Sequence, residues 1–227
     1  EEHSRKLVKS ALFQMYKQRN RLVMLEIKNG ILSGVEYPAT SADINFSVDA
    51  GELLCIYGTQ DNYVTAIIRS ILGLQPLKSG FITIDGDVLD ASSAAYFRSM
   101  FSYVPYNLDM PFDKITDVLS SPVEKENHIT KKILKGELER FGVDKAVLNT
   151  DYKKLQKHIV QLLLIIVAVL NDRPYLIIDK LYSELSASLL MPYLKDYAAE
   201  GHSVIIVSDN EDIKRECHKS LILDINV

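Results

Sequence analysis

The 227-residue sequence predicts an α/β fold, a mixed sheet core carrying a helical subdomain, on three observations. Leu53 to Tyr57, Tyr175 to Ile178 and Val204 to Val207 are continuous apolar runs, with the length and composition of strands buried on both faces. Between such runs, apolar residues recur at helical spacing, as in Ile68, Ile71 and Leu72 and along Ala187 to Ala199. From Asn107 to about Leu170, charged segments alternate with helically spaced apolar residues, and no strong strand pattern interrupts them. Buried strands alternating with helices imply a parallel sheet covered on both faces.

Taken in order, residues 1–23 carry six basic side chains against two acidic ones, with Leu7, Ala11 and Met15 at helical spacing. This predicts a basic amphipathic helix, read as a hydrated leader packed on its own domain in preference to a membrane or partner contact. The alternating stretches Leu25 to Lys28 and Ala42 to Val48 predict half-buried strands, with a turn over Asp49 to Glu52 before the buried run. Gly58 and a polar stretch follow, then a helix from Thr65 to Leu74. Phe81 to Ile84 with Asp85-Gly86 predicts a strand and tight turn. Pro192 threatens to interrupt the helix at Ala187 to Ala199. Ile159 to Leu170 is aliphatic apart from Gln161, so it belongs either to a thickened core or to a permanent interface.

Apolar residues make up 47% and charged residues 25%, proportions that fit a soluble globular chain. The net charge of -4 gives no basis for nucleic-acid binding. The apolar runs are too short to span a membrane, and the charged N-terminus lacks the apolar block of a secretory signal. Cys55 and Cys217 read as reduced core cysteines of a cytosolic protein.

A buried strand, then Gly58, then a polar turn opening into a helix is the context of a phosphate-binding loop. The runs "INFSVDAGELLCIYG", "IIRSILGLQPLKSGFITIDG", "NDRPYLIIDKLYSEL" and "GHSVIIVSDNEDIKREC" follow in an order and spacing that resemble the ATP-binding-cassette (ABC) ATPases, from about Leu25 to Val227. The resemblance implies a P-loop NTPase-like ABC nucleotide-binding domain over residues 24–227, with a helical subdomain at about 107–170.

What this implies for the site is mostly loss. Gly58, Thr59, Gln60, Asp61, Asn62, Tyr63, Val64 and Thr65 occupy the phosphate loop, but only the first glycine and the last threonine fit the template. Tyr63 replaces the second glycine, where a Cβ penalises a left-handed backbone and the ring would fill phosphate space. Val64 replaces the lysine that neutralises the β- and γ-phosphates. Asp179 matches the magnesium-associated aspartate, yet Lys180 stands where the resemblance implies a water-activating glutamate. Tyr106 falls at the glutamine position and Asp209 at the switch histidine. The signature that one subunit presents to its partner's nucleotide falls at Leu155, Gln156, Lys157, His158 and Ile159, and no glycine occurs between Val143 and Glu200. Tyr37 lies where the family stacks an aromatic on adenine, though turn packing beside Pro38 is the simpler account.

His158 is a lone histidine without other ligand types at metal spacing, so no metal site is expected there. The resemblance therefore implies a catalytically degenerate ABC-type domain, with a structural or regulatory role in a membrane transport complex. Its implied partners are a membrane-embedded subunit and a second ABC-type domain, its place is the cytoplasmic face of the membrane, and no cofactor is expected unless residual ATP and Mg2+ binding survives. A working ATPase with atypical motifs and a soluble interaction module unrelated to transport are the competing readings.

Overall fold

The computed structural model describes residues 24–35, 43–58, 61–110, 113–118 and 129–223. The N-terminal segment 1–23 and Tyr37 lie outside them. In chain order the elements are β1 (Met24–Leu32), β2 (Ile44–Asp49), β3 (Leu53–Tyr57), α1 (Asp61–Ile71), β4 (Leu77–Ile84), β5 (Asp87–Val88), α2 (Ala94–Arg98) and β6 (Phe101–Val104). Next come α3 (Ile115–Val118), α4 (Lys131–Arg140), 3-10 turns at Lys145–Asn149 and Tyr152–Lys154, and α5 (Lys157–Leu170). The chain continues through β7 (Tyr175–Ile178), α6 (Ala187–Ala199), β8 (Ser203–Ser208), α7 (Glu211–Glu216) and β9 (Lys219–Ile222).

The strands form two sheets. One is antiparallel, in the order β2-β1-β4-β5, and the other is parallel, in the order β6-β7-β8-β3-β9. Along the parallel strands successive side chains feed opposite cores, because the side-chain period of a strand is two. Leu176, Ile178, Val204 and Ile206 join α5 and α6 in one core. Tyr175, Ile177, Ile205 and Val207 join α1 and the antiparallel sheet in the other. This double burial explains why these segments read as unbroken apolar runs.

The apolar stretch 159–170 is settled as core. Within α5, Val160 to Leu163 and Ile165 to Ala168 are buried, while Leu164, Val169 and Leu170 are half-buried. Helix α6 continues through Pro192, whose cost of about 3 kcal/mol in a helix interior is outweighed by burial of Leu190, Met191, Tyr193 and Leu194 around it. Cys55 and Cys217 are both free, and Cys55 is fully buried. Among the described helices none is long and apolar enough to cross a membrane.

Sequence periodicity misses β5, β6 and β9. These strands have two to four residues, with exposed or polar positions such as Tyr103 and Lys219, too few to establish alternation. It also misses a bulge: the β1–β4 register shifts between Lys28 and Ile31. Gly80 faces that shift with φ of +80°, and a Cβ there would stand 2.2 Å from the Asn29 carbonyl oxygen, so only glycine fits.

The β4–β5 hairpin has the predicted Asp-Gly turn, with positive φ at both Asp85 and Gly86. Burial holds the Asp85 carboxyl above the ordinary carboxylate range, against the lowering effect of hydrogen bonds from Tyr175 Oη (2.5 Å) and the Met24 amide (3.3 Å). A carboxyl raised by folding binds its proton more tightly in the native state. Its ionised form therefore weakens the fold at neutral pH, and that penalty disappears as pH falls through the raised value. Asp85→Asn retains the acceptor oxygen and tolerates the positive φ, but carries no charge. Its melting temperature is expected to exceed that of the wild type at neutral pH and to converge with it below about pH 4; a lower value at neutral pH would contradict this account.

Candidate functional site

The parallel strands all point the same way, so their C-terminal ends share one edge of the sheet. Gly58, Tyr106, Asp179, Lys180 and Asp209 lie just past the ends of β3, β6, β7 and β8. Topology thus brings together four of the predicted positions: the loop glycine, the glutamine position, the second nucleotide motif and the switch position.

The loop differs from expectation. Helix α1 starts at Asp61 rather than Thr65, so it already contains Tyr63 and Val64, and only residues 59 and 60 separate it from Gly58. Tyr63 is 8% exposed and Val64 4%, both packed in the core with Ile56, Ile177 and Ile205. Tyr63 is absent from the residues with positive φ, so it avoids the left-handed strain expected of it, and its ring fills the core instead of phosphate space. The next turn of α1 exposes Thr65. Gly58 has φ of +151°, and a Cβ there would meet Leu223 Cβ at 3.1 Å and the Leu223 carbonyl at 3.2 Å. The Leu223 amide donates to the Tyr57 carbonyl at 2.8 Å, which seats the end of β9 against Gly58.

Past β7, the protein's own groups hold one another. Tyr103 Oη donates to Asp179 Oδ2 at 2.9 Å. Burial, reinforced by the Asp179 carboxylate, pushes the Tyr103 phenol well above its ordinary range, so it stays a donor. Lys180 takes a left-handed backbone with φ of 52°, and its Nζ lies 5.3 Å from the centre of the Tyr106 ring. Tyr106 stacks on Tyr182 at 5.0 Å, and Tyr182 Oη donates back to the Tyr106 carbonyl at 3.1 Å. An ammonium at position 180 can only donate.

Gln161, on α5, fixes this segment from below. It is fully buried; its Nε2 donates to the Lys180 carbonyl and its Oε1 accepts from the Tyr182 amide, each at 3.0 Å. Sequence reasoning noted Gln161 only as the break in an aliphatic run and passed over Tyr103 and Tyr182. The signal was available in that break, because a polar side chain inside an otherwise buried helix must find partners.

The remaining positions are less engaged. Asp209 is exposed beside a depression of about 230 Å3 that Tyr182, Ser183 and Asn210 also line. The signature position sits at the start of α5: Gln156 is its N-cap residue without a side-chain cap, Lys157 is exposed, and His158 is half-buried. Leu155 and Ile159 pack against the α5 core.

The chain aligns with a ribose import ATP-binding protein of Rhizobium meliloti at 25% identity over 193 residues, 78% of this chain and 38% of the relative. Among solved structures, the ATP-binding subunit of an ABC transporter superposes with a TM-score of 0.72 at 23% identity, covering 88% of this chain and 85% of that one. A dimeric ATP-binding cassette in a post-hydrolysis state, bound to ADP and phosphate, superposes with 0.71 at 17% identity, covering 88% and 94%. This is the fold of an ABC transporter ATP-binding domain. No protein-family model matches the chain, which spans well under half the length of the curated relatives it aligns with.

Within this fold, loss of the Gln161 amide leaves two backbone groups without their partner. Gln161→Leu is expected to lower stability by about 1–3 kcal/mol, read as a lower denaturation midpoint with an unchanged slope. An unchanged midpoint would show that water satisfies these groups.

Proposed function

We propose that this ABC-type domain is catalytically silent and serves as a structural or regulatory member of a membrane transport complex. In this reading it docks at the cytoplasmic face on a membrane-embedded subunit and pairs with a second ABC-type domain, with no requirement for ATP or Mg2+. The observation that carries the reading is the placement of Tyr63 and Val64: the positions at which the template needs a bare backbone and a cation are side chains packed into the core. Loss of one charge-assisted phosphate contact alone forfeits about 1.5–3 kcal/mol. Lys180 adds to this, since a positioned general base contributes on the order of 10²- to 10⁴-fold in rate and a charged ammonium offers none.

Titration of the chain with ATP, with and without Mg2+, is expected to give no saturable binding up to millimolar nucleotide and no Mg2+-dependent release of phosphate. Saturable binding in the micromolar range overturns the reading.

Restoring the template also discriminates. The double variant Tyr63→Gly, Val64→Lys removes a core aromatic and places a charge among aliphatic side chains. It is expected to lose about 3 kcal/mol or more of stability without gaining turnover; a stable, ATP-hydrolysing double variant would contradict both halves of the expectation.

A further inference from the structure

The opposite, N-terminal edge of the parallel sheet carries a second cluster. Asp172 lies in the turn from α5 to β7, and Glu200 and His202 lie between α6 and β8. One ligand atom from each falls within 4.8 Å of the others.

His202 is 7% exposed, and its Nδ1 lies 2.9 Å from the Tyr197 carbonyl oxygen. A carbonyl only accepts, so Nδ1 carries the proton and the neutral ring presents a lone pair at Nε2. That lone pair faces another acceptor, Asp172 Oδ1, at 3.0 Å. Two acceptors at this separation require a positive centre between them, either a second proton on the ring or a cation bound by both. The Tyr197 ring stacks on the imidazole at 3.9 Å and 9°, fixing its orientation. A histidine whose far nitrogen is tied to a backbone carbonyl is the usual arrangement of a metal-ligating imidazole.

An independent feature points the same way. Asp172 and Glu200 line a depression of about 300 Å3 with Tyr193, Glu137, Asp196 and Arg140. Tyr193 is 7% exposed, and its buried hydroxyl has no hydrogen-bond partner. Glu137 stands beside it and adds to the upward push that burial gives the phenol. A buried, unsatisfied donor beside several carboxylates marks a place where a hydrated ligand completes the structure.

We propose that Asp172, Glu200 and His202 form a divalent-cation site, suited to Zn2+ by its one imidazole and two carboxylates. The cation clips the α5–β7 turn to the α6–β8 turn. Its position at the far edge of the sheet separates it from the residues around Lys180.

The test is a calorimetric titration of the reduced, metal-stripped full chain with Zn2+. One site of micromolar affinity is expected, together with a rise in melting temperature as Zn2+ is added. Asp172 is exposed and has φ of 56°, a conformation asparagine accepts, so Asp172→Asn tests the site without disturbing the core. This variant, and Glu200→Gln, are expected to melt like the wild type without metal and to bind Zn2+ at least ~10-fold more weakly. Co2+ in place of Zn2+ is expected to show no thiolate charge-transfer band. A thiolate band, unaltered affinity in Asp172→Asn, or no binding at millimolar Zn2+ each overturns the proposal, the last leaving a proton as the bridge between His202 and Asp172.

Discussion

Burial of the parallel sheet from both sides is the constraint on which the rest of this chain depends. Strands β7 and β8 send alternate side chains into two separate cores, so Tyr175 to Ile178 and Val204 to Val207 are apolar at every position. With both faces closed, only the two edges where strands meet turns remain open to polar chemistry. Gly58, Tyr103, Tyr106, Tyr182, Asp179, Asp209 and Lys180 collect at one edge, and the histidine–carboxylate cluster at the other.

At the first edge, internal contacts hold the groups that the template would direct at a nucleotide. Tyr103 donates to Asp179, Tyr182 closes on Tyr106, and Gln161 grips the chain on either side of Leu181. Each contact is modest, since a net hydrogen bond contributes about 0.5–1.5 kcal/mol. Together they give the turn after β7 a defined shape without a ligand. The left-handed backbone at Lys180 costs roughly 1–2 kcal/mol in a residue with a Cβ, and the two bonds from Gln161 are of the right size to offset it.

Much of this was legible in the residues. The strands at 53–57 and 175–178 and the helix at 187–199 lie where apolar run length and helical spacing place them, because burial on both faces leaves an unambiguous pattern. The edge positions were legible too, since they follow from strand ends. The start of α1 was not. Asp61 and Asn62 read as loop, and nothing local reveals that Tyr63 and Val64 are needed to fill a core whose walls include strands over a hundred residues away. Nor do Tyr103 and Tyr106 announce that they share a cluster with Tyr182, 76 residues beyond Tyr106. His202 was equally silent, because its significance rests on a carbonyl and a carboxylate brought together by two different turns.

The early onset of α1 also bears on how such a chain can change over time. Tyr63 and Val64 are part of the interior, so a glycine or a lysine in their place would have to come with a refilling of that space in the same step. Any single exchange there leaves a cavity or a buried polar group, so folding alone ties both side chains in place.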